Sequence, residues 1–378
     1  MSLIIAGIYI HIPFCKQACY YCNFHFSTSL NNKDVFIKSI IKEIQLRKNE
    51  LKKEKINTIY FGGGTPTLLD YKEINIILDS VYENFNVLDD CEITIEANPD
   101  DINELMLKHL SSNFNRISIG IQSFFDNNLE LMNRSHNSNQ AKRSVELAKK
   151  YFDNISIDLI YGIPGLTDDD WKKNIEIAKK FKLPHISAYA LTVEPHTILK
   201  KLIDKGKINN VSDEILRVQN EIIVLELEKG KYINYELSSF ALENYQSKNN
   251  SAYWKRKKYI GLGPSAHSFN GNQRIWNISN NVKYIKSINN NKLPQAIENL
   301  TQVDIYNEIV MTGLRTIWGI SLELIEKDLG IEFKNYLLEK SIDKIDKKLI
   351  KLDNNFIKIT RKGRFLADGI ASDMFMVN

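Results

Sequence analysis

"GIYIHIPFCKQACYYC", residues 7–22, decides how the rest of the chain is read. Its first half, "GIYIHI" (7–12), is a short β-rich run, and its second half crowds three of the four cysteines of a 378-residue chain into one loop. A helical stretch follows with Phe36, Ile37, Ile40, Ile41 and Ile44 on one face, so the segment reads as a βα unit carrying thiols at the C-terminal end of its strand. Five further β-rich runs alternate with helical stretches: "TIYF" (58–61), "EITIEA" (92–97), "RISIGI" (116–121), "ISIDLIYG" (155–162) and "HISAYAL" (185–191). Six such units imply a parallel α/β sheet buried on both faces, either an open doubly wound sheet or a partial barrel. Both architectures place their sites at the C-terminal ends of the strands.

Near residue 200 the alternation stops. A helix around "SDEILRVQNEIIVLELEKG" leads into an irregular stretch rich in Asn, Ser and aromatics, then "VDIYNEIVMTGLRTIWG", "SLELIEKDLG" and "FKNYLLEKSIDKIDKKLIKL" read as helices. A short hairpin, "NNFIKITRKG", and a last helix complete a smaller, winged-helix-like C-terminal domain. Its lysines interleave with Asp and Glu, which argues against nucleic acid as a partner. The whole chain carries 50 Lys and Arg against 46 Asp and Glu, a net charge of +4 that is too small to imply a polyanionic partner. With 43% hydrophobic and 25% charged residues it has the composition of a globular protein with a large core. No apolar run is long enough for a membrane span, although peripheral membrane association is compatible with the sequence, and "MSLIIAGIYIHI" is too short and too interrupted for a signal peptide. The expected location is the cytoplasm, and the opening "MSL" (1–3) reads as a cloning remnant.

A reducing compartment makes clustered cysteines metal or cluster ligands rather than disulfides. Cys15, Cys19 and Cys22 follow the CxxxCxxC spacing, which lets three thiolates converge on a small centre. Zinc would need a fourth protein ligand, for which His11 and His25 are available; a 4Fe-4S cluster would keep one iron open. "FGGGTPT" (61–67) ends the second strand, where glycines allow close approach of a ligand or simply make a tight turn; it is neither GxGxxG nor a Walker A loop. Glu96, Gln122 and Asp158 put polar groups at the ends of strands three to five, each either a satisfied structural pair or a ligand contact. Three at one end favour a ligand. Cys91, at the edge of the third strand, reads as a packing residue.

CxxxCxxC after a first strand resembles the radical S-adenosylmethionine (SAM) superfamily, in which the methionine amino and carboxylate groups occupy the open iron and a "GGGTP" holds the SAM amino group. "YIHIPFC", "FGGGTPT", "EANP", "GIQSF", "MNRSH", "IDLIYGIP" and "ISAYALTVEPHT" together resemble the subgroup that comprises the oxygen-independent coproporphyrinogen III oxidase and the HemW-type haem chaperone. The resemblance implies a partial (β/α)6 barrel over 3–236, a connecting segment over 237–302 and a HemN-type C-terminal domain over 303–378. It further implies a 4Fe-4S cluster on Cys15, Cys19 and Cys22, and SAM contacts from Tyr9, Tyr21, Gly63, Gly64, Thr65, Glu96, Gln122, Arg134, Asp158 and Ala190. Arg134 suits a carboxylate through its planar fork of donors, against the plainer reading of a surface arginine in a turn.

Within that subgroup the oxidase has a further cysteine two residues after the third ligand, where this chain has Phe24. That resembles the chaperone branch, whose "HNxxYW" haem motif corresponds to "NNSAYW" (249–254): Asn250, Tyr253 and Trp254 agree, while Asn249 stands at the histidine position. An amide is a poor ligand for haem iron, so His25 or His267 are the alternative candidates, with Tyr253 and Trp254 available to stack on a porphyrin. The expected function is therefore binding of haem and its transfer to a haem-accepting protein. The alternative is radical decarboxylation of propionate side chains, in which a reduced cluster cleaves SAM and the adenosyl radical abstracts a substrate hydrogen.

Overall fold

The computed structural model describes residues 4–377; the opening "MSL" lies outside the described residues. The expected βα alternation is present: β1 (Ile5–Ile12), α1 (Lys33–Arg47), β2 (Lys55–Gly63), α2 (Tyr71–Asn84), β3 (Val87–Ala97), α3 (Glu104–Leu110), β4 (Arg116–Gln122), α4 (Asp126–Leu131), α5 (Ser138–Ala148), β5 (Asn154–Tyr161), α6 (Asp168–Lys180) and β6 (His185–Ala190). These strands are parallel and stand side by side in chain order. Sequential order without reversal is the winding of a barrel, and it rules out the doubly wound alternative. Right-handed crossovers then keep all the helices on one side.

The two faces of the sheet differ in chemistry. Ile8, Ile10, Ile12, Ile59, Phe61, Ile95, Ile117, Ile119, Ile157 and Ile186 point to the helices and are fully buried there. The alternate positions carry Tyr9, His11, Thr58, Tyr60, Glu92, Thr94, Glu96, Arg116, Ser118, Ser156, Asp158, His185 and Ser187. The sheet is largely buried on both faces, as expected, but only one of them is apolar: the other is polar, and strict alternation such as "RISIGI" is its signature.

α7 (Ile198–Asp204) and α8 (Asp213–Lys229) follow, α8 being started by a hydrogen bond from the Ile215 amide to Ser212 Oγ. The next stretch, expected to be irregular, instead extends the sheet. β7 (Ile233–Asn234) and β8 (Ser239–Ala241) continue it beyond β6; after α9 (Lys248–Trp254), β9 (Lys258–Leu262) pairs parallel with β1. β10 (His267–Phe269) and β11 (Gln273–Asn277) add antiparallel strands, and β12 (Gln295–Asn299) closes that edge after α10 (Asn281–Asn289). The twelve-stranded order is β12-β11-β10-β9-β1-β2-β3-β4-β5-β6-β8-β7. A buried polar knot fixes this extension to α1: the Glu43 carboxylate accepts from the Gly263 amide (2.8 Å), Asn277 Nδ2 (2.8 Å) and Tyr284 Oη (2.6 Å), while Arg47 donates to the Gly261 carbonyl (2.7 Å).

The C-terminal domain has its own core around Tyr306, Leu314, Ile325, Leu337 and Ile357. It comprises α11 (Gln302–Leu314), β13 (Ile320–Ser321), α12 (Leu322–Leu329), α13 (Ile331–Asp346), β14 (Ile350–Asp353), β15 (Phe356–Ile359) and α14 (Ala367–Asp373), with the strands in the order β13-β15-β14. One element differs from expectation: "LIKL" is not the end of a helix but the first strand of the hairpin. Asn354 and Asn355, with φ of 47° and 65°, are its two-residue turn, a left-handed pair that asparagine tolerates.

Candidate functional site

The cysteine loop leaves β1 at Pro13 and folds back on itself, with the Cys15 amide donating to the Ser27 carbonyl (3.0 Å) and the Ser27 amide to the Pro13 carbonyl (2.8 Å). Its far side is gripped by "MNRSH". The Tyr20 amide donates to the Met132 carbonyl (3.1 Å), Gln17 to the Asn133 carbonyl (3.0 Å) and Asn133 Nδ2 to the Ala18 carbonyl (2.7 Å). Lys16 pairs with Asp100 and Asp101 on the loop after β3. Arg134 is the centre of this grip: Nη1 donates to Cys19 Sγ and Tyr21 Oη (both 3.3 Å), and Nη2 to Asn98 Oδ1 (2.8 Å) and the Gly120 carbonyl (2.9 Å). It is thus no surface arginine, and its buried Nε has no partner among the described residues.

The glycine loop lies against the start of the same cysteine loop. Gly64 and Thr65 donate their amides to the carbonyls of Ile12 (2.8 Å) and Phe14 (2.6 Å). A Cβ on Gly64 would fall 2.5 Å from the Phe14 carbonyl oxygen, so here the close approach is of chain to chain. Gly63 has φ of 107° and sits over the His11 ring, where a side chain would collide.

Glu96 accepts from Tyr60 Oη (2.8 Å) and the Gly63 amide (3.3 Å). Burial pushes its carboxyl up to about 7, helped by the Asp158 charge and opposed by the bonds from Tyr60 and Gly63. Asp158 is likewise raised, to about 6, by burial, with Arg116 opposing; Ser118 Oγ lies 3.5 Å from both of its oxygens. Gln122 ends β4 with φ of 64°, folded back over Gly120 toward Arg134. Tyr9 donates to His11 Nδ1 (3.2 Å). Cys15, Cys19, Cys22, Tyr9, Tyr21, Gly63, Gly64, Thr65, Glu96, Gln122, Arg134 and Asp158 thus gather at the C-terminal ends of β1 to β5. Ala190 stands apart, lining a cavity of about 240 Å³ with Gly162, Leu191, Leu199 and Leu216.

His11 and His25, the candidates for closing a zinc site, are engaged elsewhere. His11 Nε2 donates to the His25 carbonyl (2.9 Å), and His25 Nε2 lies 2.7 Å from Asn281 Oδ1. Among the described residues no three His, Cys, Asp or Glu side chains are gathered as a single metal ion requires. Three thiols from one loop suit a polynuclear cluster that takes one ligand per iron.

In "NNSAYW", α9 is seated across the polar face by Glu92, whose carboxylate accepts from the amides of Lys248 and Asn249 (both 3.0 Å). Asn249 is 3% exposed and accepts from Thr58 Oγ1 (3.2 Å), so it is a structural residue here. Consecutive positions on a helix diverge by about 100°. Tyr253 turns to Tyr259, ring centroids 4.6 Å apart, while Trp254 lies under Arg315 of the C-terminal domain at 5.8 Å; Asn250 is half-buried. Site residues not singled out from the sequence include Tyr60, Asn98, Lys16 and Asn133. Their signals were the alternation of β2 for Tyr60 and, for Asn98 and Asn133, membership of "EANP" and "MNRSH".

The chain matches the family model of the radical SAM superfamily over residues 9–178 and that of the HemN C-terminal domain over 300–366. It is 34% identical to the Heme chaperone HemW of Lactococcus lactis over 367 residues, 96% of this chain and 95% of that protein. It is 30% identical to the Heme chaperone HemW of Bacillus subtilis, covering 96% and 97% of the two chains. The coproporphyrinogen III oxidase (HemN) of Escherichia coli, a radical SAM enzyme, superposes with a TM-score of 0.85 at 23% identity, over 99% of this chain and 91% of that one.

Proposed function

The chain belongs to the HemW family within the radical SAM superfamily, and from that membership we propose that it is a haem chaperone, binding haem and passing it to a haem-accepting protein in the cytoplasm. The observation that carries the reading is the match to proteins of that name over nearly the whole chain, C-terminal domain included. Phe24, 69% exposed where the oxidase of the subgroup has a cysteine, points the same way.

The residues present fit the superfamily's cofactors. Cys15, Cys19 and Cys22 would hold a 4Fe-4S cluster, and the polar residues gathered around them, from Tyr9 to Asp158, would hold SAM, with Ala190 at the outer margin. When bound, this pair supplies one-electron chemistry. The protein's part is to keep the loop closed, to offer Arg134 as a fixed cation beside Cys19, and to keep a carboxyl at Glu96 that gives up its proton near neutral pH. In this reading 3–236 is the SAM core, 237–302 carries the haem motif residues Asn250, Tyr253 and Trp254, of which Tyr253 turns to the polar face and Trp254 to the C-terminal domain, and 303–378 is that domain.

Protein reconstituted anaerobically with iron and sulfide, titrated with haem and then mixed with an apo haem protein, should give a saturable Soret band that moves to the acceptor. Turnover of coproporphyrinogen III to protoporphyrinogen under reducing conditions would overturn the carrier reading in favour of the oxidase.

A further inference from the structure

We propose that His267 is the axial ligand for haem iron in this chain, with Trp276, stacked against its ring across the β10–β11 hairpin, fixing the imidazole, and Arg274 of the same strand pairing with a propionate. The inference rests on the haem-carrier reading and assigns the ligand that Asn249 cannot supply.

Three of the other histidines, His11, His136 and His185, are buried and bonded within the fold. His25 is half-buried with its Nε2 on Asn281, and His109 stacks on Tyr71, centroids 4.4 Å apart, on α3; neither has an arginine and a tryptophan beside it as His267 does. His196 is exposed on the loop after β6, on the opposite side of the sheet order from β10. His267 is exposed at the start of β10, and neither ring nitrogen bonds to another described residue.

Strand register supplies its company. His267 pairs with Trp276 and Phe269 with Arg274, and Phe269 pairs with Tyr259, so these side chains share one face of the extension. Tyr259 in turn pairs with Gly7 of β1, two positions from Tyr9, which makes this face continuous with the polar face of the barrel. The His267 and Trp276 rings stack with centroids 6.0 Å apart and 26° between planes. Arg274 and Arg256 lie over the Phe269 ring at 5.0 and 4.9 Å and share one carboxylate, Glu308, which leaves a positive charge in excess.

Haem presents a flat apolar ring, an iron that takes a nitrogen lone pair, and two carboxylates. The extension offers aromatic surface, a free imidazole and a guanidinium fork for each in turn. Partial desolvation, with the Arg274 charge adding to it, holds the His267 imidazole below its usual range, which favours the neutral form whose lone pair can ligate. Coordination replaces water on the iron and changes no oxidation state.

The test is an anaerobic titration of full-length, cluster-reconstituted protein with ferric haem, read by the Soret band and electron paramagnetic resonance. His267→Ala should lose the imidazole-ligated spectrum and bind more weakly, and added imidazole should restore the spectrum. Arg274→Ala should weaken binding of haem but not of its dimethyl ester. A His267→Ala protein with the wild-type spectrum and affinity would overturn the ligand assignment and leave the carrier reading standing. Wild-type protein that binds no haem would overturn the carrier reading itself.

Discussion

Glu96 is a carboxyl held where its proton matters. Its folded value of about 7 lies above the 4.5 of an unperturbed glutamate, so between those limits the folded chain binds more protons than the unfolded one. Stability from this group is full below pH 4.5 and declines as pH rises through 7. In SAM-free protein, Glu96→Gln should therefore melt near wild type at pH 5 and above it at pH 8. An equal difference at both pH values would mean the carboxyl is not held this way. The cysteines divide as cleanly. Reconstituted wild type should carry about four irons per chain; Cys91→Ala, which alters only a buried packing residue, should keep them, and Cys19→Ala should not. The thiol spacing and the polar strand ends were legible because each breaks a local expectation. The grip of Lys16 was not, since it looks like an ordinary surface residue until the loops it joins are brought together.

At the scale of the element, the six parallel strands were legible because each is an apolar run punctuated by polar residues and followed by a helix. The strands β9 to β12 were not: none exceeds five residues, and β9 finds its partner in β1 far upstream. The end of α13 was hidden by a lysine-rich pattern that continues its period into β14. Two substitutions test how elements are joined. Gly64→Ala places a methyl against backbone oxygens of the cysteine loop, so iron content after reconstitution should fall although no ligand is changed. Glu43→Ala strips the acceptor from Gly263, Asn277 and Tyr284 and should cost about 3–5 kcal/mol in urea unfolding, the range for breaking a buried ionic network.

The whole molecule is two cores joined at a seam. Lys255 lies over the Trp318 ring at 4.0 Å, the Ile317 amide donates to the Tyr235 carbonyl (3.1 Å), and Arg274 reaches Glu308 on α11 (2.6 Å). Trp318→Ala should loosen that seam, seen as faster limited proteolysis near residue 300 with the iron content of the core unchanged. The order of the sheet has a further consequence for how such a chain is made. β1 emerges first yet lies between β2 and β9, and β9 follows it by most of the chain. At roughly 5–20 residues per second, a ribosome leaves that edge of β1 open for on the order of 10–50 s. Throughout that interval the three thiols hang from an unsealed strand, and Asn281, which holds His25 beside them, has not yet been synthesised. The newborn chain must be shielded at that edge before it can shelter anything itself.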